Sequence, residues 1–378
     1  FNICIVDKTD TKVTLINCRH GARHIYYALS KEYMAFATEP RAIAALENSF
    51  RKVHRRALLD MFNFGYIGGC GTLFENIQML EHATILEVGT DTRSQQKYWD
   101  YSFRNDETGT SFDEYADEGT VLVDRAVAKY VERFDRFGVP LSGGLDSRTI
   151  LAFASQGADS LDVYHCSWFS KEEQIAERLS DVCNATWHVY DPLQFDFGRM
   201  LERGFDLSDG STHAHQFWFL PIAEDICATG RVEMLLDGYL MDVFLGDTFL
   251  VLGPQERSTD HVRKIINGLW RRCDPHFAKR ILSPEFYAEY EEANVESIDE
   301  ELRKIDEPNI SNLIHRFSLA NRSNRYSVAL PNVQRQFVEY GFPGLDYDLT
   351  DFCLRVPPKL KKGAALYREI LHRRFPQV

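Results

Sequence analysis

Short apolar runs separated by turn-forming residues mark the first hundred residues of the chain. The runs cover residues 3–6, 12–16, 34–37 and 83–88. Runs of this length with polar interruptions are typical of half-buried β-strands. The stretch from Pro40 to Leu46 is instead typical of a helix. The pattern therefore predicts a β-rich first part with one or two helices.

A different periodicity begins at Ser111, where apolar residues recur at helical spacing from Tyr115 to Phe134. A short apolar run, a Gly-Gly turn and a further helical segment follow. Later β-type runs alternate with helical segments, and they cover residues 161–166, 187–190 and 232–236, with helices over 171–182 and 213–228 between them. Alternation of this kind predicts an α/β fold with a parallel sheet and helices on its faces. The C-terminal part is mostly charged and helical.

The stretch from Thr90 to Ser111 is polar and suits an exposed crossing between domains. We place the boundary near residue 100. The predicted domains are residues 1–100 and 101–378.

Composition narrows the class of protein. The 378 residues include 43 Lys and Arg against 56 Asp and Glu, a net charge of −13, so a general attraction to nucleic acid is disfavoured. The 8 cysteines form no CxxC pair, which favours a reducing, cytoplasmic setting. Carboxylates interrupt the most apolar window, which begins at Val232, so no membrane span is expected. Trp168, Trp187 and Trp218 are expected to be core aromatics.

The most informative stretch is Leu141-Ser-Gly-Gly-Leu-Asp-Ser147, between a predicted strand and a predicted helix. Adjacent glycines let several backbone N–H groups converge on an anion, and the helix start adds the positive end of its dipole. The stretch lacks the lysine of a Walker loop. A tight turn capped by Ser and Asp is the alternative, and phosphate binding is the interpretation that we favour.

This loop resembles the pyrophosphatase-type loop (PP-loop) of the asparagine synthetase family, whose members split ATP into AMP and pyrophosphate while adenylating a carboxylate. The resemblance implies an adenine nucleotide α-hydrolase-like synthetase domain with a helical C-terminal part, preceded by a partial β-rich, Ntn amidotransferase-like domain. It also implies ATP and Mg²⁺ as cofactors. The implied nucleotide-binding residues are Leu141, Ser142, Gly143, Gly144, Asp146, Ser147, Asp237 and Gly238.

A second match supports the resemblance, since Leu236 to Gly246 is similar to the family's Gly-x-Gly-x-Asp-Glu-x-x-Gly segment. Gly238, Asp242 and Gly246 are four residues apart and would share one face of a helix. Asp146 and Asp242 could then hold one Mg²⁺, which usually takes one or two protein carboxylates. The alternative for Asp242 is a solvated charge on a helix surface.

The positions at which the chain departs from the family pattern bear on the reaction that the resemblance implies. Asparagine synthetases usually have Glu where this chain has Tyr239, while related β-lactam synthetases have Tyr there, paired with a glutamate that corresponds to Glu339. Such a pair could relay a proton from an attacking amine, although Tyr239 could equally be a packing residue. Gly341 replaces the arginine of the family's Glu-x-Arg-x-Pro-Phe-Leu-Asp segment, which weakens the case for strict asparagine synthesis.

The residues from Cys18 to Pro40 resemble the second half of the family's glutaminase domain. That domain uses an N-terminal cysteine with a free amine, a role that neither Phe1 nor Cys4 can fill. The chain therefore resembles a protein truncated at both ends, because the family also continues towards a transition-state lysine that Lys361 and Lys362 do not match. Glutamine is a nitrogen donor only if such a cysteine precedes these residues.

His213-x-His215 is metal-like in composition but lacks a third ligand at usable spacing, so we favour a capping or pocket role over zinc. The favoured function is an asparagine synthetase-like carbon–nitrogen ligase that joins ammonia to a small carboxylate such as aspartate. A β-lactam- or lasso-peptide-type cyclising synthetase and a non-catalytic family member remain the alternatives. No nucleic-acid or membrane partner is expected, and a homodimer is possible.

Overall fold

The computed structural model describes residues 1–104, 109–251 and 258–378. The strands are β1 (Asn2–Asp7), β2 (Lys12–Asn17), β3 (Tyr26–Leu29), β4 (Met34–Ala37), β5 (Gln78–Met79), β6 (Thr84–Val88), β7 (Arg93–Lys97), β8 (Phe137–Pro140), β9 (Leu161–Cys166), β10 (Thr186–Tyr190), β11 (Met234–Leu236) and β12 (Glu339–Gly341).

The helices are α1 (Pro40–Ala44), α2 (Arg55–Phe64), α3 (Phe112–Val131), α4 (Leu145–Ala154), α5 (Ser170–Val182), α6 (Phe197–Leu207), α7 (Leu220–Thr229), α8 (Met241–Leu245), α9 (Thr259–Trp270), α10 (Pro275–Ile281), α11 (Pro284–Arg303), α12 (Ile310–Ser318), α13 (Ala329–Gln334), α14 (Tyr347–Arg355), α15 (Pro358–Lys361) and α16 (Ala365–Arg374). A π-helix over Leu319–Ser327 continues α12.

The chain divides into two compact units. Unit 1 holds the described residues of 1–101, 205–214 and 253–329, and unit 2 holds those of 102–204, 215–252 and 330–378. The chain therefore passes between the units more than once. The boundary near residue 100 stays a prediction, and residues 105–108 of the polar stretch around it lie outside the described residues.

Unit 1 contains two antiparallel sheets, one with strand order β1-β2-β6-β7 and one with order β4-β3-β5. A core that includes Leu15, Tyr27, Leu80 and Leu86 packs between strands and loops of this unit. The outer strands β1 and β7 are mostly exposed along their length. Helices α9 to α12 complete the unit, and α2 packs against α11.

Unit 2 is built on a five-stranded sheet in which every paired strand is parallel. Its order is β10-β9-β8-β11-β12, so successive strands of the chain take the places 3-2-1-4-5. The direction of winding reverses between β8 and β11, and open α/β sheets bind ligands at the carboxyl ends of the strands at such a point. This architecture confirms the predicted α/β class with a helical C-terminal part.

Helix α3 begins where the sequence periodicity changes, and the reason is local. The Ser111 side chain accepts a hydrogen bond from the Glu114 backbone, and the Glu114 carboxylate accepts one from the Ser111 backbone. This capping box satisfies two of the N–H groups that a helix start leaves open. Along unit 2, α3 packs against α4, α14 and α16.

Several sequence predictions need correction. Helix α7 begins at Leu220, not at His213, because residues 214–217 form a 3₁₀ turn and Pro221 favours a helix start. Trp168 is 44% exposed and so is not a core residue. The strand β12 was not predicted, because three residues carry too little periodicity. None of the described helices is long and apolar enough to cross a membrane.

Candidate active site

The loop after β8 is held in shape by its own serines. The Ser147 hydroxyl accepts a hydrogen bond from the Ser142 backbone N–H at 3.1 Å and donates one to the Ser142 carbonyl at 3.1 Å. The Ser142 hydroxyl accepts one from the Gly144 N–H at 3.2 Å. At the strand end, the Leu141 N–H bonds to the Tyr164 carbonyl of β9 at 2.9 Å. These bonds tie both ends of the loop, so its turn is preformed.

Helix α4 starts directly from this loop, with Gly144 as its N-cap. Gly144 has no side chain that could accept a hydrogen bond from the first turn, whereas Ser, Thr, Asp or Asn usually does so at this position. The N-terminal amides of a helix and the helix dipole attract anions. The loop and helix start therefore form an anion-binding arrangement at the point where the sheet reverses its winding.

The segment after β11 lies directly against this loop. A Cβ atom on Gly238 would stand 2.7 Å from Asp146 Cβ and 2.9 Å from the Asp146 carbonyl carbon. Only glycine fits that approach. Leu240 then takes the left-handed conformation, with φ of +66°, immediately before α8. The two motifs that the sequence singled out, ninety residues apart, thus meet.

The prediction that Gly238, Asp242 and Gly246 share one helix is wrong. The helix α8 covers only Met241–Leu245. Gly238 belongs to the preceding loop, and Gly246 ends the helix. A Cβ on Gly246 would approach the Asp242 carbonyl oxygen to 2.6 Å. The glycines therefore permit close backbone approaches rather than sharing a helix face.

Asp146 lies at the centre of the site. Its Oδ1 atom is buried and has no hydrogen-bond partner within the described part of the chain. The Tyr367 hydroxyl is fully buried and lies beside the same carboxyl group. Burial raises the pKa of Asp146 well above its usual range, and the neighbouring carboxylate of Asp242 raises it further. A buried oxygen atom without a hydrogen-bond partner, such as Asp146 Oδ1, is costly unless a ligand completes it.

Asp242 lies in the first turn of α8, and its Oδ2 accepts a hydrogen bond from Thr248 Oγ1 at 2.5 Å. In the described residues no three His, Cys, Asp or Glu side chains gather as a metal-binding cluster. A Mg²⁺ ion that bridges phosphates commonly uses only one or two protein carboxylates and completes its shell with phosphate and water oxygens. The pair of Asp146 and Asp242, with one buried oxygen unsatisfied, fits such an ion.

Asp237 directly follows β11, and its backbone N–H bonds to the Gly341 carbonyl of β12 at 3.0 Å. Burial raises the pKa of Asp237 to about 6, while the backbone amide of Tyr239 and the charge of Arg335 act in the opposite direction. The guanidinium of Arg335 lies over the Phe342 ring and within 3.4 Å of Glu339 Oε1. A cation therefore lies beside the second motif, where a substrate carboxylate could be neutralised.

The residues predicted to form a phenol–carboxylate pair lie on different parts of the sheet. Tyr239 follows the carboxyl end of β11 and packs against the Phe342 ring, with centroids 5.1 Å apart. Glu339 opens β12 and is in register with Met234 at the amino end of β11. A catalytic role for the pair stays a prediction.

The missing arginine of the last motif has a steric explanation. A Cβ on Gly341 would stand 2.7 Å from the Tyr130 ring and 2.8 Å from Leu236. The Tyr130 hydroxyl accepts a hydrogen bond from the Phe342 N–H at 3.2 Å. A tyrosine of α3 therefore occupies the space into which a side chain at 341 would begin to extend.

Sequence reasoning missed Tyr367, because nothing in the local pattern of α16 links it to a loop more than two hundred residues away. Arg148, which it left open, donates a hydrogen bond to the Gly143 carbonyl at 3.1 Å and so braces the loop. Lys361 is buried and donates to the Cys353 carbonyl at the end of α14 at 3.0 Å. Burial lowers the pKa of Lys361 to about 8. Its bond to a helix end indicates a capping role.

Comparison with known families matches two consecutive parts of the chain. Residues 1–99 match the model of a glutamine amidotransferase domain, and residues 120–212 match the model of asparagine synthase. The second match contains the loop from Leu141 to Ser147 and ends before Asp237, so the loop is covered and the second motif is not.

Curated relatives show the same similarity. The chain is 27% identical to asparagine synthetase [glutamine-hydrolyzing] 2 of Bacillus subtilis (strain 168), over 46% of this chain and 25% of that protein. It is 23% identical to asparagine synthetase [glutamine-hydrolyzing] 3 of the same strain, over 91% of this chain and 59% of that protein. The chain thus spans between a quarter and about three fifths of the length of these two relatives.

Among solved structures, NMN synthetase from Francisella tularensis matches 55% of this chain and 94% of its own chain, at 12% identity and a TM-score of 0.28. That similarity is too weak to bear on the fold, which follows from the strand order and pairing described above.

Proposed function

Since this chain belongs to the asparagine synthetase family, we propose that it forms the carboxylate-activating centre of an ATP-dependent, amide-forming ligase that releases AMP and pyrophosphate. The acid that we propose is aspartate, and the nitrogen nucleophile is ammonia. The observation that carries the proposal is the buried, unpartnered Oδ1 of Asp146, which lies between a preformed phosphate-type loop and the carboxylate of Asp242.

The loop residues bind and orient the nucleotide. The backbone N–H group of Gly143 and those of the first turn of α4 hold the departing pyrophosphate, while the Gly144 N–H stays bonded to the Ser142 hydroxyl. The hydroxyls of Ser142 and Ser147 fix the turn and offer further hydrogen bonds. Leu141, Asp237 and Gly238 form the surroundings of the nucleotide at the strand ends. Because these groups are fixed before the reaction, they stabilise developing charge without reorganising.

Asp146 and Asp242 are the residues that would hold Mg²⁺. A bound Mg²⁺ would neutralise the charge that develops on the phosphate oxygens. Arg148 keeps the loop in place through the Gly143 carbonyl. The chain's own contribution is thus the positioning of the α-phosphorus of ATP against a substrate carboxylate.

A second candidate is a cyclising amide synthetase of the β-lactam or lasso-peptide type. Two observations favour it: Tyr239, within the second motif, is buried, and the Tyr130 ring occupies the space that a side chain at position 341 would enter. In that case the nucleophile is an amine of the same substrate, and a proton relay through Tyr239 and Glu339 would require these side chains to approach each other from opposite ends of β11 and β12. The two candidates share the adenylating step and differ in the acid and the amine.

The test measures AMP and pyrophosphate formed from ATP and Mg²⁺, with aspartate and with a panel of β-amino acids and peptides. We expect acid-dependent release of both products, and a loss of about 100-fold or more in the Asp146→Asn variant, because the group nearest the reacting phosphates loses its charge. Asp159→Asn serves as the matched control, since Asp159 is an exposed carboxylate in the turn between α4 and β9.

Product formation with aspartate supports the synthetase, and formation only with a β-amino acid or a peptide supports the cyclising enzyme. No AMP with any acid, or equal activity in the wild type and Asp146→Asn, contradicts the proposal.

A further inference from the structure

A buried arginine in unit 1 lines a cavity that the proposed reaction does not use. The cavity lies between the strand β3, the glycine-rich loop before β5, and the π-helix that follows α12. Arg325 belongs to that π-helix and is 8% exposed. The walls are formed in part by Ile67, Leu73 and Phe74, with the hydroxyl-bearing Ser211 at one side. Long π-helices are rare, and short ones often occur at functional sites.

Within the described ranges, the hydrogen bonds of Arg325 involve only two of its three guanidinium nitrogens. Its Nε donates to the Gly69 carbonyl at 2.9 Å, and its Nη2 donates to the Gly69 carbonyl and, at 3.1 Å, to the Gly71 carbonyl. A guanidinium carries five N–H donors, and these bonds account for those of Nε and Nη2. Both hydrogens of Nη1 remain without an acceptor among the described residues.

The charge of Arg325 is also not neutralised by a direct partner. The partners that its guanidinium bonds are carbonyl oxygens, and burial lowers its pKa. Asp209 lines the same cavity; its Oδ2 accepts the Arg41 backbone N–H at 3.0 Å, and its buried Oδ1 lies 2.9 Å from Arg41 Nε, an ion pair that completes no hydrogen bond. A buried guanidinium without an anion bonded to it is costly.

Two further carboxylates act on Arg325 only through space, and both have partners of their own. Asp60 accepts hydrogen bonds from Ser297 and Gly68. Glu301 bonds Lys304 and Asn321. Neither carboxylate therefore replaces a direct acceptor for Nη1.

The space at the cavity is small. Its accessible volume is about 20 Å³, which is room for one or two water molecules. From the two free hydrogens of Nη1, the charge and this size, we propose that the cavity binds a small monoanion of the size of chloride or formate, held by Arg325. The site lies wholly within unit 1, so it is independent of the nucleotide loop.

The test is anion-dependent stability of the whole chain at constant ionic strength, with sodium gluconate replaced stepwise by sodium chloride or sodium formate. A ligand that binds only the folded state raises the unfolding temperature by an amount that grows with the logarithm of its concentration once that concentration exceeds its Kd. We expect a rise of about 2–4 °C when the anion concentration is roughly 100 times its Kd, for a chain of this size. Line broadening of the chloride-35 resonance reports the binding directly.

The Arg325→Met variant keeps an unbranched side chain and removes the donors, so the anion-dependent rise and the excess line broadening should both disappear. Arg272→Met is the matched control, because Arg272 is an exposed arginine of the same unit that stacks on Tyr326. The control should keep the full anion dependence.

If Arg325→Met does not fold, Ser211→Leu tests the same point. It fills the cavity and leaves the bonds of Arg325 to Gly69 and Gly71 intact, so it should abolish the anion effect in a folded protein. The proposal is overturned if the wild type unfolds at the same temperature in chloride, formate and gluconate at every concentration. It is also overturned if Ser211→Leu binds chloride as the wild type does, in which case Arg325 only clamps the glycine-rich loop.

Discussion

The two principal sheets of this protein differ in how their strands are covered. In the parallel sheet of unit 2, β8, β9 and β11 are buried along most of their length. In the antiparallel sheet of unit 1, β1 and β7 are mostly exposed. The parallel sheet needs crossover helices, and those helices cover both faces. The hairpins of the antiparallel sheet bring no such cover.

This difference explains where chemistry can be placed. Crossovers in unit 2 bring the ends of β8 and β11 together at the point where the winding reverses, so Asp146 and Gly238 meet although they are distant in sequence. The hairpin β1–β2 joins neighbours in the chain and creates no comparable edge. A covered parallel sheet thus provides both a rigid support for the site and loops that meet at the carboxyl ends of its strands.

The largest predicted effect concerns the packing of the parallel sheet itself. Leu235 is fully buried in β11, whereas Ile5 is 51% exposed in β1. Leu235→Ala should lower the free energy of unfolding by about 2–5 kcal/mol, because it opens a cavity in a packed sheet. Ile5→Ala should change it by no more than about 0.5 kcal/mol. Denaturant unfolding of both variants measures the difference, and equal losses would show that the two sheets are not covered differently.

The next effect concerns the convergence of the two loops. Gly238→Ala places a Cβ 2.7 Å from Asp146 Cβ, so the loops must separate, which should destabilise the fold by about 1–3 kcal/mol. The displacement of Asp146 should lower the rate of AMP formation by about 100-fold.

Gly268→Ala is the matched control, since Gly268 lies inside α9 with no atom within 4 Å of an added Cβ. That substitution should leave activity unchanged and stabilise the chain by up to about 1 kcal/mol through helix propensity. A fully active Gly238→Ala variant would contradict the close approach.

The sequence predicted the parallel sheet and its main loop because both leave strong local signals. Two glycines between an apolar run and a helical pattern can be recognised without knowing the fold. Tyr367 and Arg325 left no such signal, since each acquires its importance from contacts with residues far away in the chain. The extent of α8 was also mispredicted, because residues four apart indicate a shared face only where the backbone is helical, and Leu240 is not.

A smaller predicted effect concerns Asp60, a buried carboxyl group of unit 1 that can be compared with Asp146 of unit 2. Asp60 of unit 1 has hydrogen bonds from Ser297 and Gly68, whereas Oδ1 of Asp146 has none. Burial raises the pKa of Asp60 to about 6 from its ordinary 3.8. The folded state therefore binds the proton more tightly than the unfolded state does. The contribution of Asp60 to the free energy of unfolding is therefore fully present below about pH 4 and is lost as the pH rises through about 6.

Between pH 4 and pH 7, this titration of Asp60 should lower the free energy of unfolding by on the order of 2 kcal/mol. Asp60→Asn removes the titrating group, so unfolding measured across this range should lose that part of its pH dependence. Asp10→Asn, at an exposed turn of the same unit, should leave the dependence as it is. An unchanged pH profile in Asp60→Asn would show that this carboxyl group does not titrate with a raised pKa.

The central claim is that the loop at the carboxyl edge of the parallel sheet activates a carboxylate with ATP. Acid-dependent exchange of radiolabelled pyrophosphate into ATP tests it most directly, because exchange requires reversible formation of an acyl-adenylate. We expect exchange that depends on both the acid and Mg²⁺ in the wild type and in Asp159→Asn, and a loss of about 100-fold in Asp146→Asn. Exchange that persists in Asp146→Asn, or products that are ADP and orthophosphate, would contradict the account.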